Sequence, residues 1–522
     1  MSIPRAFIRA SVALALTFVP FLATSASGQS PAAQPIGTVA AEDPKLKILS
    51  QSEIEAVKTE NAEVREILRK MEEQQKMLLE QADRLQRQLD GSAATDVPVP
   101  PAVTDSASTS LQTTSTSVQA TSATPRYRDG MVIWETAPDA EVPFLLRFNI
   151  NTQLRYLNTL SSDETYTDHL GVVRDVHRRN DITVNRAMFI FGGYIFDQRA
   201  RYSFTVWTSA GAASIVVASN IGWQFNKALT VTGGYTGVPG SRSLVDTFPF
   251  FQAIDRSMAD NFFRPGFTQG LWAKGEPVKG LSYLAFLGNG LNTLSISAAK
   301  IDTNLLASGS VWWEPLGPYG DPNPGKSREM YDDYFSSDKI RIRVGTSFTR
   351  SREDRFSNLD QSSPENTSLY NSDGVLTFST GAFAPGVTVD EALYKMWAID
   401  GGIKWNGLAV NGQYFIRWLN DFVADGPLPV ASTFDHGFEL SAGHFLIPKK
   451  LQLYGRGSQV YGEFGNATEY GGGARWYFLP TERLWLNAEL MHVKHAPYSG
   501  AFTPYTAGMN GWVPMVQAVL AF

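Results

Sequence analysis

The segment from Phe144 to Leu157 carries two chemistries on one strand. Leu146, Phe148, Ile150, Leu154 and Tyr156 fall on one face, and Arg147, Asn149, Asn151, Gln153 and Arg155 fall on the other, because strand side chains alternate with period two. Such a strand has two homes. A soluble sandwich puts the apolar face inside. A closed transmembrane barrel turns that face to lipid and lines a wet lumen with the polar face. The stretch Val513 to Phe522 poses the same choice, since Val516, Ala518, Leu520 and Phe522 share one face. As an edge strand of a soluble domain it would invite aggregation. In a barrel it is zipped to the first strand and its apolar face meets lipid.

Composition narrows the choice. The chain has 522 residues, 44 of them glycine, with 12% aromatics and a mean hydropathy of -0.16. It is too polar for a bundle of membrane helices, and no internal run reaches the roughly 18 apolar residues that such a helix needs. A barrel needs no such run, because only every second strand residue faces lipid. There is no cysteine, so disulfides and thiolate metal sites are excluded. A formal net charge of -6 gives no support for binding nucleic acid.

The first residues read as a secretory signal peptide over 1–28. Arg5 and Arg9 precede an apolar core from Ala10 to Ala23, and Thr24-Ser25-Ala26-Ser27-Gly28 supplies small residues for cleavage after Ala26 or Gly28. Residues 29–44, rich in Ala, Pro and Gln, read as disordered. Residues 45–90 read as an α-helical coiled coil in the periplasm. Ile54, Asn61, Leu68, Gln75, Ala82 and Leu89 take the a positions, and Val57, Val64, Met71, Leu78 and Leu85 take the d positions, a heptad sustained over about six repeats. A single solvated amphipathic helix is the alternative; the sustained heptad favours self-association. Residues 91–125 form a linker, stiff at Pro98-Val99-Pro100-Pro101 and flexible through the Ser/Thr tract that follows.

From Arg126 to Phe522 the sequence alternates, is rich in glycine and aromatics, and contains no convincing long helix. Strand patterns number about sixteen, an even count. Short connections such as Asp197-Gln198-Arg199, Asn226-Lys227-Ala228, Asn406-Gly407 and Pro448-Lys449-Lys450 alternate with long ones, as short periplasmic turns alternate with external loops. Asn406-Gly407 is a hairpin signal. Pro315 to Lys339 is long where a short turn belongs, so either that turn is elaborated or the strand register slips there. The expected fold is therefore an all-β transmembrane antiparallel barrel of about sixteen strands over residues 126–522, preceded by the coiled coil.

Alternation puts Arg147, Arg155, Arg186, Arg201, Arg341, Arg343, Arg417 and Arg456 on the lumen face. Arginines lining a narrow pore attract anions and grip phosphate or carboxylate with a fork of donors. Equally, they can pair with lumen acids such as Glu439, Glu469 and Glu489 and only solvate the wall. Lys227, Lys274 and Lys279 read as turn residues. The long connection from Thr236 to Thr268 carries Arg242, Asp246, Asp255, Arg256 and Arg264 together with Phe248, Phe250, Phe251, Phe262 and Phe263. So many aromatics do not suit an exposed loop. Folded into the lumen, they pack on the wall and narrow the bore; at a subunit interface, they meet a second copy.

Several segments together resemble the outer-membrane porins of the phosphate-selective O and P type. They are Trp223-Gln224-Phe225, Gly234-Tyr235, Val238-Pro239, Asp255-Arg256-Ser257, Phe263-Arg264-Pro265-Gly266, Leu287-Gly288-Asn289-Gly290, and Gly443 through Leu453. The resemblance covers roughly residues 140–522. It implies a trimeric sixteen-stranded barrel in the outer membrane, a third loop that constricts the pore, and a ladder of lumen arginines that the residues above would form. Expected partners are further copies in a homotrimer, outer-membrane lipid and lipopolysaccharide, small anions or other hydrophilic solutes, and peptidoglycan near the coiled coil. No cofactor is expected. Enzymatic chemistry has little to stand on: Ser441 and His444, three apart, fall on opposite faces of a strand. Two functions remain open at this point. One is passive diffusion of hydrophilic solutes through the barrel; the other is an envelope tether in which the barrel anchors the coiled coil.

Overall fold

A computed structural model describes residues 127–137, 139–209, 214–245, 249–293, 300–301, 303–320, 330–358, 368–500 and 502–522. The signal peptide, coiled coil and linker lie outside the described residues. Nineteen strands follow one another. They are β1 (Met131–Glu135), β2 (Phe144–Asn158), β3 (Thr165–Thr167), β4 (Val173–Asp175), β5 (Asn180–Ile195), β6 (Asp197–Ser209), β7 (Ser214–Asn226), β8 (Leu229–Gly237), β9 (Phe267–Val278) and β10 (Leu281–Gly288). Next come β11 (Leu306–Trp313), β12 (Arg341–Asp354), β13 (Val389–Trp405), β14 (Leu408–Ala424), β15 (Ser432–Ile447), β16 (Leu451–Gly462), β17 (Gly465–Trp476), β18 (Leu484–Lys494) and β19 (Gly511–Ala521).

Sixteen of these strands form one antiparallel sheet that closes on itself. Each barrel strand from β5 onward pairs with its sequence neighbour, and β19 returns to β2, with Val516 opposite Tyr156 and Ala518 opposite Leu154. Closure removes the unpaired edge that an open sheet would expose. The small hairpin of β3 and β4 sits in the β2–β5 connection. The β13–β14 turn is the Asn-Gly hairpin expected from sequence, with φ of +50° at Asn406 and +82° at Gly407, the left-handed pair that a two-residue turn between twisted strands requires. The long connection after Trp313 causes no slip, because β11 to β13 stay in continuous register and the β13–β14 pairing shifts only at its far end, around Glu391. It is an elaborated turn, and Met330 to Tyr334 are buried.

The two faces separate by chemistry. Leu154, Tyr156, Phe189, Phe204, Ile221, Trp397, Tyr414, Leu440 and Leu490 are large apolar side chains on the outer face, each more than a third exposed. Aromatics band this face near both ends. Trp418 contacts Phe434, and Tyr470 stacks on His492, whose ring meets Trp512 at 4.9 Å. At the opposite end, Trp476 meets Phe478 and Trp134 meets Phe144. Amphipathic rings of this kind favour a boundary between apolar and aqueous phases. Beyond the first band β12 and β13 run further than sequence indicated, because outward Arg352 and Glu391 pair across them.

The seam is held at its foot by both ends of the described chain. The Phe522 N–H donates to Ile150 O at 2.8 Å, and Ile150 N–H donates back at 3.0 Å. β1 pairs with β2 just below, with Met131 opposite Phe148, so it continues the edge that β19 leaves. Tyr127 meets the Phe522 ring edge-on at 5.5 Å, and Arg483 lies over Tyr127 at 3.7 Å. Removing Phe522 deletes two seam hydrogen bonds, each worth about 1 kcal/mol, and a ring contact. The expected outcome is a smaller folded, heat-modifiable fraction on semi-native electrophoresis after refolding; an unchanged fraction would remove the residue from the seam.

Candidate functional site: the barrel lumen

A barrel of this size is wider than its own side chains can fill. Other chain fills it. The connection between β8 and β9 turns inward, and Val238 to Arg264 are almost wholly buried where described. It carries a 3-10 turn at Arg242–Leu244 and a short helix at Met258–Phe263, capped by the Ser257 hydroxyl accepting from the Asp260 N–H. Its aromatics settle on the wall as their number implied. Phe263 stacks on Phe415 of β14 at 5.3 Å, Phe250 lies 5.8 Å from Trp485 of β18, and Phe251 meets Tyr331 at 6.1 Å.

The loop's backbone groups need partners once they leave water, and the wall from β12 to β19 supplies them. Ile254 N–H donates to Glu489 at 2.9 Å, Ala259 N–H donates to Ser458 at 3.2 Å, and Met258 N–H donates to Glu469. A carboxylate facing the first N–H groups of a helix is favoured by the helix dipole. The loop carbonyls accept from wall donors. Tyr394 donates to Phe263 O at 2.7 Å, Arg417 to Phe262 O at 3.3 Å, Arg456 to Asp255 O at 2.6 Å, and Gln517 to Ile254 O at 3.1 Å.

By strand register Arg147, Arg155, Arg186, Arg201, Arg341, Arg343, Arg417 and Arg456 lie on the face opposite the exposed apolar side chains. Arg155, Arg186, Arg343, Arg417 and Arg456 are buried; Arg147 and Arg341 are half-buried, and Arg201 is exposed. The buried five are paired. Asp255 of the loop lies 2.9 Å from Arg186 and 3.6 Å from Arg155. Arg343 pairs with Asp400 at 3.0 Å, and Arg417 with Asp435 at 2.7 Å. Arg456 sits between Glu469 at 3.0 Å and Glu489 at 2.9 Å. Among the described residues, buried basic and buried acidic side chains match at ten each. Pairing with lumen acids, one of the two alternatives open from sequence, is what the geometry shows here.

The loop residues are similarly held. Arg242 donates to Asn411 at 3.1 Å and lies 4.3 Å over the Tyr331 ring. Arg256 lies 3.7 Å from Asp260 and 4.9 Å over Phe251. Arg264 is buried beside Asn261, and Asp246 lies outside the described residues. Two interior cations escaped the sequence reading. Arg475 of β17 pairs with Asp332 at 2.8 Å and donates to the carbonyls of Phe251, Gln252 and Ala253. Lys404 of β13 donates to Met330 O at 2.6 Å and Tyr319 O at 2.7 Å. Alternation could have found both, since Arg475 shares a face with Glu469 and Lys404 with Asp400. Lys274 is also inside, on β9 opposite Thr230 and Leu284, rather than at a turn.

The other half of the wall differs. On β6, β7 and β8 the inward Arg201, Ser203, Thr205, Ala218, Asn220, Gln224 and Thr230 are half-buried or exposed, while the inward Trp207, Val216 and Thr232 are buried.

No protein-family model and no curated relative matches the sequence. Among solved structures, the trimer form of OmpT of Vibrio cholerae is 11% identical, with a TM-score of 0.44 over 72% of this chain and 99% of that one. The anion-selective porin of Comamonas acidovorans is 12% identical, with a TM-score of 0.41 over 73% and 99% of the two chains. The outer membrane channel DcaP of Acinetobacter baumannii is 8% identical, with a TM-score of 0.41 over 74% and 99%.

Breaking a buried pair by removing one partner costs about 3–5 kcal/mol, because the remaining charge stays uncompensated. Asp255→Ala removes the carboxylate that Arg155 and Arg186 share. It should lower the midpoint of urea unfolding, followed by tryptophan fluorescence; a midpoint equal to that of the parent would contradict the pinning of this loop.

Proposed function

We propose that this chain is an outer-membrane porin that passes small hydrophilic solutes and ions by passive diffusion. One observation carries the proposal: a closed barrel with an apolar, aromatic-banded outer face encloses a polar interior. Only a closed barrel or a helix satisfies all backbone groups within hydrocarbon, and the inward side chains of β6 to β8 that stay partly exposed favour a channel over an anchor. The inward loop narrows the bore and sets its size limit. The signal-like first residues support export, and the heptad over 45–90 supports a periplasmic coiled coil within a homotrimer. That coiled coil, about 60 Å long at 1.5 Å per residue, would reach toward peptidoglycan. Outer-membrane lipid and lipopolysaccharide are the natural neighbours of the apolar face.

Anion or phosphate preference belongs to the same proposal in a weaker form. Pairing of the buried arginines leaves less free positive charge than their number in sequence implies. Planar-bilayer recordings of the purified full-length protein should show stepwise conductance increments. Their absence from protein that retains its heat-modifiable fold would leave anchoring, with the coiled coil as tether, as the better reading.

A further inference from the structure

The interior is divided. Between β12 and β19 the inward side chains lie under chain that enters from both ends. That chain comprises the β8–β9 loop, the segment Met330–Tyr334 and the segments around Tyr370 and Tyr505. Nearly every inward polar group there is buried, and the arginines Arg343, Arg417, Arg456 and Arg475 are each set against a carboxylate. On β6 to β8, among the described residues, no such cover lies over the middle of the strands. Ser203, Thr205, Ala218 and Asn220 face inward and stay partly exposed.

This uncovered strip is chemically plain. Over the middle of the strands its inward positions are the hydroxyl, amide and small side chains of Ser203, Thr205, Ala218 and Asn220; toward one end the buried Trp207 and Val216 form a small apolar cluster, and the carboxylate of Asp197, at the start of β6, is paired with Arg199. The inward charge that remains on these three strands, among the described residues, is Arg201. It donates to Gln224 at 3.1 Å, and among the described residues no carboxylate forms an ion pair with it. Arg201 therefore differs from the five buried arginines. Its charge is exposed to the bore and is not cancelled by a neighbour, and an uncancelled charge in a low-dielectric channel acts on passing ions more strongly than a paired one.

We infer that the solute path is an off-centre lane along the inner faces of β6 to β8, and that Arg201 sets its charge preference. The proposal rests on the porin reading for its transport role, but its geometry is independent of it. The arginine rows of β14, β16 and β17 are scaffolding for the loop. The permeant class is small neutral or anionic hydrophilic solutes, since the strip offers hydrogen-bonding groups and one cation.

The chain has no cysteine, so single cysteines report cleanly. In the full-length protein reconstituted in liposomes, Ser203→Cys and Asn220→Cys should react with a small negatively charged methanethiosulfonate. Ser458→Cys, on β16 beneath the loop, reacts only through local opening, and should be slower by roughly tenfold or more. Mass spectrometry reads this without any need for conductance. Comparable or inverted rates would overturn the lane. In bilayers, modification at 203 or 220 should reduce single-channel conductance. Arg201→Gln should lower the anion-to-cation permeability ratio taken from the reversal potential in a KCl gradient. An unchanged ratio would overturn the role of Arg201. A lack of channels in the parent overturns the porin reading, while the labelling pattern still decides the lane.

Discussion

The carboxylate of Asp255, held between Arg186 and Arg155, shows the constraint that shapes this molecule. A wide barrel cannot be filled by its wall, so a loop must enter. An entering loop brings unsatisfied amides and carbonyls with it, and a buried polar group without a partner is costly. The wall answers with side chains that reach. Arg475, Arg456 and Arg417 each bind a carboxylate and also donate to loop carbonyls. An arginine fork suits this double task better than a lysine's point charge. Most of these buried cations are then set beside a buried anion, as Arg186 is by Asp255, Arg343 by Asp400 and Arg417 by Asp435.

That economy of charge has a functional consequence. Groups that pin the loop are not available to passing ions, so abundance of lumen arginine is a poor guide to selectivity. The wall left uncovered, from β6 to β8, is nearly uncharged and is interrupted by Arg201. Packing thus divides one polar interior into a structural half and a wet half. The apolar outer face, by contrast, is continuous around the barrel and needs no such division.

Much of the barrel was legible in the chain because period-two alternation is a local property. The faces of β2 and β19, the strand number and the Asn406-Gly407 hairpin all came from neighbouring residues. The extended reach of β13 did not, since its outer end, with Glu391, lies past the aromatic band where polar residues no longer mark a loop. The phenylalanines of the β8–β9 loop marked it as a packed segment but left the lumen and a subunit interface both open. The pairing of the lumen was not legible. Asp255 and Arg186 are 69 residues apart, and Asp332 and Arg475 are 143 apart; such partners meet only after closure sets the register. Lys274, taken for a turn residue, stands inside because β9 continues to Val278.

The division of the lumen depends on the loop resting against the β12–β19 wall. Ala259 of the loop lies at Ser458 of β16, joined by a hydrogen bond of 3.2 Å. The most direct test is the single-channel conductance of an Ala259→Cys, Ser458→Cys pair before and after oxidation to a disulfide. Once formed, the bond should leave the conductance essentially unchanged, because the loop already rests against that wall and the current passes elsewhere. A conductance that falls sharply on closure, and recovers on reduction, would place the path between the loop and that wall and contradict the account.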